Sequence, residues 1–417
     1  LAKHGVDLAR LGALRLLAGV RDGLSLSDQA GALKALAPAD QARAGRLAAA
    51  VLRHHDRADT VIAAYVSRRP TPAVADILRL AVVELLELDG APHGVVDAAV
   101  SLTRGLGQKG QAASGMVNAV LRKVAVHQGW AGLPPQPMPA WLRGPVADAW
   151  GESAAQAIEI AHQAGAPLDL TPKPGTAVEG AEVLPTGSLR IHGSAQVSAL
   201  PGFAAGEWWV QDAAAALPAR LLEPRPAERI ADLCAAPGGK TLQLAAVGAQ
   251  VLAVDISPAR LNRVAENLRR CDLAAELVTA DALDWRPDAP LDAVLLDAPC
   301  SATGTIRRHP DLPFLRDGSG VPALVDLQSR LIDHALSLLP PGGRMVYAVC
   351  SLLPDEGEAQ LEAALTRHPG LMAETPVLPG IERSWITPGG GLRTRPDFWP
   401  ERGGMDGFFM MRLRKPG

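Results

Sequence analysis

The chain is poor in cysteine. Four residues in 417, Cys234, Cys271, Cys300 and Cys350, are present, with no CxxC spacing among them. That pattern supports neither a zinc site nor a disulfide framework, so no metal is expected. Reduced thiols suit a cytoplasmic protein. No run of 18 or more uncharged apolar residues occurs, which argues against a transmembrane helix and a membrane partner. The stretch "LAKHGVDLAR" lacks the apolar core and small-residue cleavage site of a signal peptide. A one-sided charge is missing too: the net charge is −3. The distribution is uneven, however. Residues 1–130 hold 16 Lys+Arg against 11 Asp+Glu, a balance of +5, and the remainder holds 25 against 33, a balance of −8. On charge alone, a phosphate-facing surface and an ordinary solvated helical surface explain the basic excess about equally well.

What is present points to several domains. The length exceeds one typical core. Residues 1–131 read as an all-α bundle. In "VADILRLAVVELLELD" (74–89), Ile77, Leu78, Ala81, Leu85 and Leu88 fall on one face at three- and four-residue steps, and Gly90 and Pro92 stop the helix. "AASGMVNAVLRKVAVH" places Val117, Val120, Leu121 and Val124 on one side of another. The Pro-rich "GLPPQPMPAW" (132–141) marks a boundary. Residues 141–204 form a small α+β region, with one helix in "DAWGESAAQAIEIAHQA" and short strands near 168–170 and 189–192. From 205 to 417, strands and helices alternate: "RIADLC", "AQVLAVDIS", "AAELVTAD", "LDAVLLDAPC" and "GGRMVYAVCS" are separated by helical segments. This alternation predicts a doubly wound, mostly parallel α/β sheet of Rossmann-like type, with "GFFMMRLRK" as a late strand.

Ligands of such sheets bind at the carboxyl ends of the strands, and here those ends carry Asp232, Asp255, Asp281 and Asp297. One such aspartate is often only a helix cap; four in series are hard to attribute to packing. "AAPGGKT" is not a P-loop, because the first glycine of that motif would have to stand where Cys234 is. The G-x-G-x-x-G pattern is also absent. What remains is a tight turn of small residues, Cys234, Ala235, Ala236, Pro237, Gly238, Gly239 and Lys240, in which Gly238 and Gly239 let the backbone approach a ligand. Asp255 can accept from ribose hydroxyls and Asp281 from an adenine amine. This describes an adenosine site without a phosphate cradle, which fits S-adenosyl-L-methionine better than ATP or NAD.

Cys300 and Cys350 end two neighbouring strands of that sheet. Carbon 5 of a pyrimidine is a poor nucleophile until a thiolate adds at carbon 6. An acid near ring N3 must then stabilise the developing charge, and a base must take the carbon-5 proton. Cys350, Cys300 and Asp297 match these roles, although residue chemistry alone does not rank the two thiols. A nucleophilic thiol needs a polar or positive setting; Arg307, Arg308 and Lys240 are candidates to provide it. Cys271 reads as a small buried hydrophobe. No aromatic follows the "DAP" of "DAPC", which disfavours methylation of an exocyclic amine.

"VQDAAAAL" (210–217), "DLCAAPGGKT" (232–241), "DAPCSATGTIRRHPD" (297–311), "CSLLPDEGE" (350–358) and "GMDGFFMMRLRK" (404–415) stand in family order and closely resemble the RsmB/NOP2 family of RNA 5-methylcytosine methyltransferases. The N-terminal region resembles NusB, through "AAAVLRHHDRADTVIAAYV", "ILRLAVVELLELDGAPHGVVDAAVSL" and "GMVNAVLRKV". The resemblance implies a NusB-like RNA-binding domain (1–131), a small RNA-binding region (141–204) and a class I methyltransferase domain (205–417). It also implies S-adenosyl-L-methionine as cofactor, a cytosine of 16S rRNA as target, and a monomer. Carried over by position, residues 234–240, Asp255, Asp281 and Asp297 form the cofactor site, Cys350 is the nucleophile, and Cys300 assists product release. The chain departs from the family pattern at Val349, where threonine is usual, at "DLTPKPG", which replaces "LRVN", and at Leu312, Pro313 and Phe314, which replace a Lys-Trp pair. These departures are expected to touch RNA contacts rather than the chemical core. Two other readings are a transfer-RNA cytosine-5 methyltransferase of the same family and a NusB-like RNA-binding adaptor with an inactive methylase. The first lacks an obvious tRNA-binding module, and intact Asp297, Cys300 and Cys350 argue against the second.

Overall fold

Proline and acidic caps start the N-terminal helices. The computed structural model describes residues 7–193 and 196–417, so the first six residues of "LAKHGVDLAR" lie outside the described part. Helix α1 (Leu8–Arg21) begins at Asp7, whose carboxylate accepts the Arg10 N–H at 3.0 Å. Helices α2 (Pro38–Arg53), α4 (Pro72–Leu86) and α5 (Pro92–Arg104) open on proline, which is tolerated where no intrahelical donor is needed. Helices α3 (His55–Ala63) and α6 (Gln108–Val124) complete the group. Val74, Ile77, Leu78, Leu80, Ala81, Val82 and Val83 of α4 are all buried. A helix buried on most sides belongs at the centre of a bundle, and α4, whose buried Asp76 and Glu84 pair with Arg79 and Arg10, packs there against α1, α2, α3, α5 and α6. Leu88, expected on the buried face, is 46% exposed. The reason is that α4 ends at Leu86, and the Gly90 N–H turns back onto the Glu84 carbonyl at 2.7 Å, which takes Leu88 off the helical path.

Two compact units divide the chain. The first comprises Leu1–Arg143, Ala155–Gly165 and Ile306–Asp317. The last of these segments includes the short helix α12 (Leu312–Leu315). Leu315 packs on the helical core, the Leu26 N–H donates to Asp311 at 2.8 Å, and Phe314 lies edge-on to His55 with ring centres 5.1 Å apart. The Leu312–Phe314 departure is therefore made where the chain packs within the helical unit. The single helix expected over 148–164 is two, α7 (Ala140–Trp150) and α8 (Glu152–Ala164). Between them Gly151 takes φ +87°, which glycine adopts without cost and which ends a helix.

The second unit holds two sheets. The small one is antiparallel, ordered β2 (Glu182–Val183), β3 (Leu189–Ile191), β1 (Leu168–Pro172), β4 (Trp208–Val210). It thus takes in residues just beyond 204. The large sheet runs β10 (Met372–Glu374), β12 (Phe408–Arg414), β9 (Arg344–Val349), β8 (Ala293–Asp297), β5 (Arg229–Leu233), β6 (Gln250–Asp255), β7 (Glu276–Thr279), with β11 (Leu392–Thr394) paired to β12. Strands β9, β8, β5, β6 and β7 are parallel, and β12 is antiparallel to β9. Alternate residues enter different cores. Leu233, Val254, Leu296, Tyr347 and Val349 enter one, and Ile230, Val251, Leu295, Val346 and Ala348 the other. Burial on both faces explains why these strands read as unbroken apolar runs.

Candidate active site

The parallel register brings the site together. In the β8–β9 pair Asp297 lies opposite Ala348. Cys300 follows Asp297 in the next turn, and Cys350 stands just past the end of β9. Their Sγ atoms are 3.5 Å apart, and both thiols are free and partly buried. Backbone contacts tie the two turns: the Ala298 N–H donates to the Ala348 carbonyl at 2.9 Å and the Gly304 N–H to the Cys350 carbonyl at 3.0 Å. A Cβ on Gly304 would lie 1.8 Å from the carbonyl oxygen of Gly407, so this position of "SATGT" admits only glycine. The Cys300 thiol is pushed well above its ordinary value, mainly by its hydrogen bond to Cys350, then by burial and by the charges of Cys350 and Glu356.

The turn 234–240 joins β5 to helix α10 (Gly239–Ala246). Cys234 takes φ +62° and Gly238 φ +103°. Burial and the charges of Asp297, Asp255 and Asp232 push the Cys234 thiol up to about 12, which disfavours a thiolate there. Ala235 and Ala236 are buried. Lys240 Nζ contacts Asp297 Oδ2 at 2.6 Å. Burial opposes its charge, but Asp297, Asp232 and Cys350 outweigh that and leave Lys240 raised. Its cation is paired with Asp297. Of the other cations considered for the thiols, Arg307 belongs to the segment Ile306–Asp317. It is fully buried, its carbonyl accepts from Arg53 at 2.9 Å, and burial together with its charge holds His162 down to about 3. Arg308 lies in the same segment.

The four strand-end aspartates divide by role. Asp232 is the penultimate residue of β5 and fully buried, accepting the Thr241 hydroxyl at 2.5 Å. Burial pushes it up to about 7. It fastens α10 to the sheet. Asp255, the last residue of β6, accepts the Ala236 N–H at 3.1 Å on one oxygen and the Ser257 N–H at 3.0 Å on the other. The oxygen that accepts from Ala236, Oδ2, also faces the Arg260 guanidinium at 3.4 Å, so Oδ1 is the oxygen that keeps an acceptor site for a hydroxyl. Asp281 lies beyond the end of β7, exposed, with one oxygen accepting the Leu283 N–H at 2.9 Å. These acceptors suit the hydroxyls and amine of an adenosine. Cys271 is buried among Val264, Leu268 and their neighbours, as a small hydrophobe would be. Among the described residues no cluster of three His, Cys, Asp or Glu is placed to hold a metal, and no helix is long and apolar enough to cross a membrane.

The sequence reading missed the pairing of Lys240 with Asp297, since 57 residues separate them and neither carries a local signal of the other. It also missed the structural use of Asp232; Thr241, on the first turn of α10, was the available clue.

Fold and site together define a class of protein: an RNA methyltransferase with a helical domain in the same chain. The family model for 16S rRNA methyltransferase RsmB/F matches residues 219–414, and that for the NusB family matches residues 8–126. Ribosomal RNA small subunit methyltransferase B of Xylella fastidiosa (strain Temecula1) is 37% identical over 431 residues, covering 97% of each chain. The protein of that name from Xanthomonas campestris pv. campestris is 36% identical over 402 residues, covering 88% of this chain and 89% of its own. The solved structure of a methyltransferase homologue from Pyrococcus horikoshii, 26% identical, covers 65% of this chain and 93% of that one with a TM-score of 0.54. The chain belongs to the ribosomal RNA small subunit methyltransferase RsmB/F family.

Proposed function

We propose that this protein transfers the methyl group of S-adenosyl-L-methionine to carbon 5 of a cytosine in 16S rRNA, through a covalent bond between Cys350 and carbon 6. The observation that carries this reading is the pair of thiols 3.5 Å apart at adjoining strand ends, beside the Lys240–Asp297 pair. Residues 234–240, Asp255 and Asp281 would hold the cofactor, which supplies an electrophilic methyl group when bound. The names of the curated relatives support ribosomal RNA as the substrate.

Residue by residue, Cys350 Sγ adds to carbon 6, and the ring's electron pair moves to carbon 5, which becomes able to attack the methyl carbon. The proton that N3 needs can come from the Lys240 ammonium, 2.6 Å from Asp297: Lys240 passes it to Asp297 and Asp297 delivers it to N3, leaving a neutral amine and a carboxylate. Cys300 must afterwards take the carbon-5 proton so that the carbon–sulfur bond can break. Its thiol is raised chiefly by Cys350, through a hydrogen bond and through charge. Both influences vanish when Cys350 Sγ bonds to carbon. Burial and the Glu356 charge remain, but with the Cys350 influences gone Cys300 loses its proton to solvent more readily and can act as base. The same coupling favours the thiol form of Cys300 before attack.

Cys300→Ala is the test. The variant is expected to attack but not release, leaving a protein–RNA adduct that survives a denaturing gel, while wild type leaves little. If Cys350→Ala accumulates the adduct and Cys300→Ala does not, the two roles are reversed.

A further inference from the structure

Each cysteine of the pair is followed by serine, and both serines end on one carboxylate. Glu356 is fully buried. Its Oε1 accepts the Ser301 N–H at 2.9 Å and the Gln328 Nε2 at 3.0 Å. Its Oε2 accepts the Ser301 and Ser351 hydroxyls, each at 2.5 Å. Four donors on two oxygens fill the acceptor sites of a carboxylate. All four donors are uncharged, and an uncompensated buried charge is costly unless fully hydrogen-bonded. Here the four bonds meet that condition; an apolar side chain would serve packing alone and would leave these donors unpaired. Its other contact closes the arrangement: the Glu356 carbonyl accepts the Tyr347 hydroxyl at 2.7 Å, and Tyr347 lies on β9 three residues before Cys350.

We infer that Glu356 is a positioning residue, which holds Ser301 and Ser351 on one carboxylate and so fixes the distance and orientation of Cys300 and Cys350. It acts through the serines and touches no reacting atom. The bond to the Ser301 N–H fixes the backbone immediately after Cys300, and the bond to the Ser351 hydroxyl fixes the residue immediately after Cys350. Ser351 is further restrained because the Leu353 N–H donates to its hydroxyl at 3.0 Å. The two loops are also joined by the Gly304 N–H to the Cys350 carbonyl and by the Leu352 N–H, which donates to the Thr303 hydroxyl at 2.9 Å; Glu356 adds a bond at the residue immediately after each thiol. The sulfur–sulfur distance matters twice in the proposed reaction, when the two thiols share a hydrogen bond and when Cys300 reaches the carbon-5 proton. The inference rests on the cysteine roles proposed above.

The experiment compares Glu356→Gln, the double variant Ser301→Ala/Ser351→Ala, and the triple variant with wild type in the full chain. It reads kcat and KM for methyl transfer to small-subunit rRNA, together with S-adenosyl-L-methionine affinity. Glutamine keeps the size but puts an amide group where two donors point. Misplacement of reacting groups by about 1 Å costs on the order of 10²-fold in rate. Glu356→Gln and the double serine variant are each expected to lose about that factor in kcat, with cofactor affinity and KM for RNA little changed. The triple variant should lose no more than either, because all three changes break one arrangement. Glu356→Gln with wild-type kcat overturns the inference, as does a triple variant whose losses multiply. Should Glu356→Gln fail to fold, the serine double variant, which keeps the carboxylate, decides: an unchanged kcat overturns the inference and a hundredfold fall supports it. Failure of wild type to form 5-methylcytosine would instead sink the proposed function itself.

Discussion

Cys350→Ala is expected to abolish methyl transfer to ribosomal RNA while leaving S-adenosyl-L-methionine binding intact. Loss of a covalent nucleophile costs on the order of 10⁴-fold or more in rate, since the neighbouring groups then have nothing to assist. Binding should persist because the proposed cofactor residues are elsewhere: the turn 234–240 follows β5, Asp255 ends β6 and Asp281 follows β7. Labelled-methyl incorporation and calorimetric binding, measured side by side, separate the two effects. A variant that turns over at the wild-type rate would remove Cys350 from the chemistry. One that loses binding and activity together would show that Cys350 is needed for the cofactor site.

The second large effect lies away from the thiols, in the small sheet. Asp169 and Arg190 are both fully buried, with Nε to Oδ1 and Nη2 to Oδ2 each at 2.7 Å. Asp169 also accepts the Ala213 N–H at 3.0 Å, and Arg190 donates to the Arg402 carbonyl at 2.8 Å. Removing one member strands the other charge in the interior, at a cost of about 3–5 kcal/mol. Asp169→Ala should therefore unfold the small sheet at lower denaturant. The β1–β4 ladder, in which Leu170 opposes Val210, should exchange its amide hydrogens faster. Replacing both partners, as Asp169→Leu with Arg190→Met, should cost less than either single change, because no unpaired charge remains. Equal protection of the ladder in Asp169→Ala and wild type would show that the pair carries no stability. This pair also explains part of the "DLTPKPG" departure: Asp169 faces a buried arginine and not solvent.

Much of the catalytic half was legible because its strands are buried on both faces. Apolar runs ending in Asp255, Asp297 and Cys350 announce a parallel sheet, and strand ends are where such sheets bind ligands. The periodicity of Val117, Val120, Leu121 and Val124 likewise placed a helix face that is buried in the structure. What escaped depends on partners distant in sequence. Lys240 and Asp297, Asp169 and Arg190, and the serines that meet on Glu356 carry no mark of one another along the chain. The grouping of Ile306–Asp317 with the helical unit is of the same kind, since "RRHPDLPF" follows directly on a methylase motif. Local punctuation was underused at Gly151, which divides a helix that the apolar pattern alone would continue. Asp232 resembled its neighbours in sequence, and its bond to the Thr241 hydroxyl, nine residues on, is what sets it apart.

The most direct test of the central claim is nucleoside analysis of small-subunit rRNA after incubation with the full chain and methyl-labelled S-adenosyl-L-methionine. The label should appear in 5-methylcytidine, at a discrete position mapped by bisulfite conversion, and should be absent when Cys350→Ala replaces wild type. Label in N4-methylcytidine, in a 2′-O-methyl ribose, or in 5-methylcytidine made equally well by Cys350→Ala would contradict it.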